Sequence, residues 1–501
     1  VTTTLDRTVR TASVPASRLP RVAAPVLIGL LGFAIGLAGA GIPSIWYDEA
    51  ATVSSSLRRW PQLLAEIGTV DLVHAAYYAG MHVWFDLVGY TPVTLRLPSA
   101  VAIGAAAALV VVLGRLFSRP RLGLLAGLVF VLLPRTTWAG TEGRSYALTA
   151  LLAIAVTVVL VVAMRDGRRR WWVGYAALAA LSCVVFIYLA LVLVAHAVTI
   201  AVAARSRPTR APARRWMLAT TAAALAVLPF LVVTTTQRGQ VDWLPAIGPR
   251  TIDRVLVEQW FFSSDAFAVV GWAGVLVGAV LLVRRARPGL SLAGLLIPAA
   301  LLPTALLLVV SASVVPLYTP RYLTMCLPFV ALLIAAAIDA LPRRPLVVVA
   351  LAALVALAVP QIVEQREPRA KEHTAWDAVA ALIAAERAAD GPDATTAIVY
   401  DSVERHRRAT SRVIAYSYPD AFEGVIDVTL DVSAADSGRL WETTIPLSDG
   451  LGRLMDADTV YLLTSPGDDG TSATTATLAP LGWRITDRWT ISEVEIVRFT
   501  R

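Results

Sequence analysis

Ile45-Trp46-Tyr47-Asp48-Glu49-Ala50 follows directly on the first long apolar run of the chain, residues 22–42. Two adjacent carboxylates where an apolar helix leaves a membrane are costly to place, and ionisable groups there mark function by default. The run before them has the length of a membrane span, roughly 20 residues. Its 21 leading residues are polar and carry Arg7, Arg10, Arg18 and Arg21. The run is too long for the apolar part of a signal peptide and lacks a clean cleavage site, so it is read as a retained helix behind a cytoplasmic tail.

The rest of the 501-residue sequence agrees with a membrane setting. It is 57% hydrophobic and only 16% charged, with a mean hydropathy of +0.65, whereas soluble domains carry about a quarter charged residues. The net charge of +8 comes from arginine, since Lys371 is the only lysine. The arginines gather in short loops between apolar runs, which is the pattern of a topology signal and not of a nucleic-acid surface. Cys183 and Cys326 lie inside apolar runs and read as buried hydrophobes. The Arg- and Ala-rich composition points to a bacterial source and hence to a bacterial cytoplasmic membrane.

About eleven spans are expected, at 22–42, 97–117, 122–139, 146–164, 171–187, 189–204, 216–234, 266–283, 291–314, 322–341 and 345–360. With the N-terminus inside, every inside loop is basic. They hold Arg115, Arg119 and Arg121, then Arg165 and Arg168 to Arg170. Arg205, Arg207, Arg210, Arg214 and Arg215 follow, then Arg284, Arg285 and Arg287, then Arg343 and Arg344. Loop 43–96, the turns at 140–145 and near Tyr188, segments 235–265 and 315–321, and everything after Pro360 then face outside. Residues 75–89 (AAYYAGMHVWFDLVG) are apolar but too short to span. They are expected to lie on the membrane surface, with Tyr77, Tyr78 and Trp84 at headgroup level. Residues 361–501 turn more acidic and lose long apolar runs. A helix is expected at 374–390, with strands at 395–401, 459–464 and 494–500, giving a small extracytoplasmic α/β domain. No glycine-rich phosphate turn follows a strand, so a Rossmann-type nucleotide site is not indicated.

The outside-facing polar residues converge on a few positions. Asp48 and Glu49 start the first loop, and Asp71 and His74 lie near its far end. Glu142, Arg144 and Tyr146 stand at the second outside turn, and Arg321 and Tyr322 follow Pro320. Carboxylates there suit a general base, and planar guanidinium groups suit a phosphate. A plainer reading runs beside this one. Acids favour helix N-termini, arginines snorkel at membrane edges, and His74, Glu142 and Tyr188 can serve as hydrogen-bonding, ion-pairing and packing residues.

The order WYDEA (46–50), Asp71-x-x-His74-x-x-Tyr77-Tyr78, RLPSA (96–100), TEGRSYAL (141–148) and PRYL (320–323) resembles the GT-C glycosyltransferases. The similarity is to the protein O-mannosyltransferase-like and aminoarabinose transferase-like group, over roughly residues 22–341. It implies a polytopic α-helical fold and an enzyme that takes a sugar from a polyprenyl-phosphate donor. The sugar, mannose in first expectation or an arabinose-type pentose, passes with inversion to an acceptor hydroxyl on a lipid, glycan or protein outside the membrane.

By position, Asp48 is then the general base, with Glu49 holding it or positioning the acceptor. Arg144, Arg321 and His74 face the donor phosphate. Glu142, which would orient Arg144, lines the substrate site with Asp71, Tyr78, Tyr146, Tyr188 and Tyr322. A divalent metal (Mg or Mn) is compatible with the resemblance but has only scattered ligands here. Related sequences commonly have His-Pro-Pro where this chain has His74-Ala75-Ala76, so a rigid turn is lost. A multispan transporter or lipid flippase is the competing class. It is disfavoured because no internal repeat is visible and the polar residues gather at one face.

Overall fold

The computed structural model describes residues 19–206, 210–241, 243–403 and 409–501. Residues 1–18 of the expected tail, with Arg7, Arg10 and Arg18, and the loop residue Arg207 lie outside them. The described chain starts with helix α1 (Leu19–Leu37). Three loop helices follow: α2 (Tyr47–Ser56), α3 (Trp60–Thr69) and α4 (Ala75–Val88). Next come α5 (Pro92–Leu116), α6 (Pro120–Leu132), α7 (Pro134–Gly140), α8 (Tyr146–Asp166), α9 (Arg169–Val185), α10 (Ala190–Ser206) and α11 (Arg210–Thr234). After the short α12 (Arg250–Asp253) and α13 (Gln259–Phe261) stand α14 (Asp265–Arg284), α15 (Leu292–Ser313), α16 (Leu327–Asp339) and α17 (Arg344–Glu364).

Every expected span falls on a helix. Among the described residues eight helices are long and apolar enough to cross a membrane, or nine if α6 and α7 form one bent span. The apolar part of α1, Val22–Leu37, and the 17-residue α9 are shorter. Most boundaries shift by a few residues, and two departures have a clear local cause. The first span ends at Leu37 and not at residue 42, because Gly39 turns the chain with φ +71°. The run 122–139 breaks by 66° between α6 and α7. Pro134 has no N–H to continue the helix and holds Leu133 in an extended conformation.

The two ends of the bundle differ in charge. Arg119 and Arg121 pair with Asp339, Arg165 reaches the Leu116 carbonyl, and Arg215 reaches the Gly167 carbonyl. The loops expected inside therefore share one end, and the WYDEA, TEGRSYAL and PRYL stretches share the other.

After α17 the chain adds α18 (Trp376–Asp390), β1 (Thr396–Tyr400), α19 (Arg412–Ser417), β2 (Ile426–Asp427), β3 (Leu430–Val432) and β4 (Thr443–Thr444). It closes with α20 (Leu447–Gly450), β5 (Thr459–Thr464), α21 (Gly470–Leu478), β6 (Arg484–Ile491) and β7 (Val494–Thr500). The main sheet has the order β2-β1-β5-β7-β6. β1 runs parallel to β2 and β5, and β7 runs antiparallel to β5 and β6.

One face of this sheet shares an apolar core with the first loop. Ile45, Val53, Tyr77, Phe85 and Leu95 pack together with Trp376, Ile398, Ile414 and Trp441. That core corrects the expectation for residues 75–89. Helix α4 forms, but Tyr77 and Tyr78 are buried in protein and not at headgroup level. The half-buried Trp84 donates its indole N–H to the Thr94 carbonyl. Tyrosines and tryptophans mark an interface with lipid and an interface with protein equally well in sequence.

Candidate active site

The first turn of α2 carries both Asp48 and Glu49, which therefore point in different directions around the helix. Asp48 is partly exposed, 19% for its side chain, and its Oδ2 lies 3.2 Å from the Arg321 guanidinium. That guanidinium also stands over the Trp46 and Trp243 rings, at 5.5 and 5.1 Å. Its Nε–H is buried without a partner among the described residues.

Arg144 lies on the other side of Asp48. It donates to the Asp48 carbonyl (3.2 Å), to Thr52 Oγ1 (3.3 Å) and to the Tyr78 hydroxyl (3.1 Å). Its second terminal nitrogen is 3.0 Å from His74 Nε2. Burial, then Arg144 and Arg321, hold the His74 imidazole well below its ordinary pKa range. His74 is thus neutral and accepts at Nε2, which puts its proton on Nδ1. Asp71 accepts from the Tyr78 hydroxyl at 3.0 Å. Its carboxyl is pushed above the ordinary range by burial, against the pull of Arg144. His74 keeps its place without the two prolines, because Ala75 and Ala76 start α4 immediately after it.

Aromatic rings wall the site. Tyr188 stacks on Tyr322 at 5.0 Å, and Tyr146 stacks on Trp138 at 5.5 Å and lies 6.4 Å from Tyr322. The expected residues Asp48, Asp71, His74, Tyr78, Arg144, Tyr146, Tyr188, Arg321 and Tyr322 thus come together.

Glu49 and Glu142 do not join them. Both are fully buried beneath the site in a cluster of two carboxylates and two cations. Arg96 holds Glu49 with Nε–Oε1 at 2.8 Å and Nη2–Oε2 at 2.6 Å. It also donates to the carbonyls of Ala40, Pro43 and Ser44, so all five of its N–H donors are used. Glu142 accepts from the Trp46 indole at 2.7 Å and from Lys371 at 2.5 Å, and Lys371 is 3.3 Å from Glu49. Glu142 thus holds Trp46 and Lys371, which corrects the expectation that it orients Arg144. Burial drives the Glu142 carboxyl up to about 7, against Lys371. For Glu49 burial is outweighed by Arg96 and then Lys371, which keep it below the ordinary range.

Gly143 closes this cluster by donating its N–H to Glu49 at 2.7 Å. A Cβ there would meet three Leu95 carbons at 2.6–2.9 Å. Gly143→Ala is expected to destabilise the protein by about 1–3 kcal/mol, as overpacking does, and to weaken activity by displacing Arg144. The check is a thermal melt beside a turnover assay; unchanged values in both would contradict it.

Four residues here were not singled out from sequence. Arg96, Lys371 and Trp46 form the support just described. Arg135, turned in by the break before α7, is buried with its guanidinium 4.8 Å from the Trp138 and Phe262 rings, and it donates to the Glu258 carbonyl. Arg96 and Trp46 lay inside quoted motifs. Lys371 is the sole lysine amid arginines, which was the one signal available for it. Among the described residues no three His, Cys, Asp or Glu side chains converge to hold a metal ion. The positive charge beside Asp48 comes from Arg144 and Arg321.

No protein-family model matches the sequence, and no curated protein matches it. Solved structures do. ArnT from Cupriavidus metallidurans bound to undecaprenyl phosphate superposes with a TM-score of 0.59 at 14% identity, over 96% of this chain and 98% of that one. The oligosaccharyltransferase of Archaeoglobus fulgidus in complex with Zn and sulfate gives 0.50 at 11% identity, over 88% and 67%. The arabinofuranosyltransferase AftD from Mycobacteria gives 0.50 at 17% identity, over 97% of this chain and 42% of that one. The chain has the fold of the GT-C membrane glycosyltransferases.

Proposed function

We propose that this protein is a glycosyltransferase that moves a sugar from a polyprenyl-phosphate donor to an acceptor hydroxyl, with inversion, at the outer face of a bacterial cytoplasmic membrane. Mannose is the first donor sugar to test and an arabinose-type pentose the second. The acceptor class is a cell-envelope glycolipid, polysaccharide or secreted protein. The carrying observation is one carboxylate between two arginines: Asp48 is 3.2 Å from Arg321, and Arg144 is bonded to its backbone. ArnT, whose fold is similar, is described with undecaprenyl phosphate bound, which supports the same donor class here.

In this reading the donor phosphate draws Arg321 from Asp48 and frees the carboxylate. Asp48 then takes the proton of the acceptor hydroxyl as its oxygen attacks the anomeric carbon. The bond from that carbon to the phosphate oxygen breaks, and the negative charge of the leaving polyprenyl phosphate falls to Arg321 and Arg144. The neutral His74 fixes the Arg144 fork, and the tyrosines form the sugar wall. Glu49 and Glu142 act only through position. The transporter alternative has less support, because the charges gather at one end of the bundle and not at mid-depth.

Arg321→Gln is expected to lower kcat by roughly 10²–10³, the cost of one charge-stabilising donor, and to raise the KM for the donor lipid. Because arginine carries the charge, EDTA is expected to leave wild-type turnover unchanged. Release of lipid phosphate from a panel of polyprenyl-phosphate sugars measures both. Loss of turnover with EDTA, restored by Mg or Mn, would reassign the phosphate's partner to a metal.

A further inference from the structure

The last span hands the chain to the C-terminal unit through a short link, residues 365–375, which is laced onto the residues around WYDEA. The Ser44 N–H donates to the Pro368 carbonyl at 2.9 Å, and Ser44 Oγ accepts from the Trp376 N–H at 2.9 Å. Between these anchors Lys371 sends its ammonium to Glu49 and Glu142. Glu142 in turn holds the Trp46 indole, and the Trp46 ring lies against Arg321. The turn made by Lys371, Glu372, His373 and Thr374 is therefore fixed on the rim of the site. Glu372 is exposed there and close enough to attract the Arg321 guanidinium, the group that pairs with Asp48.

The residues of this turn do not suit its shape. The Thr374 N–H closes it on the Lys371 carbonyl at 3.0 Å. Glu372 and His373 between them have φ +50° and +62°. Positive φ at both central positions is the geometry that Asn-Gly ordinarily fills, because a Cβ is crowded there. Left-handed residues other than glycine and asparagine are costly, and such strain concentrates at binding and catalytic sites. A turn kept only to join α17 to α18 has no use for glutamate at this position. The His373 carbonyl accepts from Ser492 Oγ in the hairpin between β6 and β7, which any residue could do. What is particular to the strained pair is the Glu372 carboxylate and where it is held.

Position and charge narrow the ligand. In the transfer reading Arg144 and Arg321 take the donor phosphate, and the polyprenyl chain of that donor stays in the membrane. The approach left for the second substrate is from the side of the C-terminal unit, where Glu372 stands. A carboxylate there accepts from sugar hydroxyls and repels an anion. We propose that Glu372 binds the acceptor and selects a neutral, hydroxyl-rich acceptor over an anionic one. That the ligand is the acceptor rests on the transfer reading; the charge preference does not.

The test is equilibrium binding to the full-length protein in nanodiscs, read by saturation-transfer NMR at low salt. The probes are the neutral trisaccharides of mannose and arabinose, with trigalacturonic acid as the anion of the same length. Wild-type protein is expected to bind at least one neutral trisaccharide more tightly than the anion. Glu372→Gln keeps the shape and removes the charge, and is expected to narrow that preference by about threefold to tenfold. Glu372→Asn/His373→Gly gives the turn the residues it prefers. It is expected to melt no lower than the wild type and to lose the preference to the same extent, a split that a merely connecting turn would not show. His373→Gly alone is expected to keep the wild-type preference. An unchanged preference in both Glu372 variants, the same loss in His373→Gly, tighter binding of the anion by wild-type protein, or no binding of any neutral trisaccharide overturns the proposal. Turnover with the lipid donors is measured beside it. A preference that depends on Glu372 without any transfer would sink the transfer reading alone, and transfer with a preference indifferent to Glu372 would sink this proposal alone.

Discussion

Asp48→Asn is expected to lower the rate of sugar transfer by about 10²–10⁴, the usual share of a positioned base, while the protein folds and inserts as before. Asparagine has nearly the same shape and keeps its place in the first turn of α2. The group it replaces is partly exposed and bound by one ion pair, so the fold loses little. Arg321 keeps its two tryptophan rings and is no longer shared with a carboxylate. The KM for the donor is therefore expected to stay constant or fall while kcat collapses. That split separates a base from a residue that only shapes the site, whose loss would raise KM as well. Full kcat in this variant would remove Asp48 from the chemistry.

Arg96→Met is expected to be worse for the protein than any change in the site itself. It leaves Glu49 buried with half its cation partners and three carbonyls, of Ala40, Pro43 and Ser44, without a donor. Removing one partner of a buried ion pair costs roughly 3–5 kcal/mol. Arg96→Lys is expected to fall nearly as far, because an ammonium cannot reproduce the planar fork that reaches both Glu49 oxygens. The double variant Arg96→Met/Glu49→Gln is expected to be more stable than the summed single effects, since the two residues are in direct contact. Melting temperature and monodispersity in detergent measure this. A wild-type melt for Arg96→Met would show that the cluster does not hold the loop.

These two residues also divide what was legible in sequence from what was not. Membrane helices declare themselves by continuous apolar runs, so all eleven expected segments recur as helices. The strands at 459–464 and 494–500 recur to the residue, because short apolar runs bounded by turns leave little choice. β6 was missed: its burial is low along its length, so no apolar run marks it. The break before α7 was missed too. Hydropathy continues through Pro134, and only packing turns Arg135 into the protein.

Within the site, sequence order and a shared membrane face brought Asp48, Arg144 and Arg321 together. The resemblance already implies different roles for Asp48 and Glu49, base and support; that Glu49 turns away from the site is not legible there, because adjacent residues differ by a rotation about the helix that only the surroundings interpret. Glu49 turns toward Arg96 and Lys371, residues 47 and 322 positions away. Lys371 belongs to the segment after the last span, so the C-terminal unit is tied into the support of the site as well as packed beside it.

The most direct test is to incubate purified protein with polyprenyl-phosphate mannose and polyprenyl-phosphate arabinose in separate reactions, with envelope glycan fragments as acceptors. Free lipid phosphate, acceptor mass and the anomeric configuration of the product are then measured together. The account predicts stoichiometric release of polyprenyl phosphate, an acceptor heavier by one sugar with inverted configuration, and neither product from Asp48→Asn. Sugar transfer from a nucleotide donor with none from the lipid donors, or equal transfer by Asp48→Asn, would contradict it.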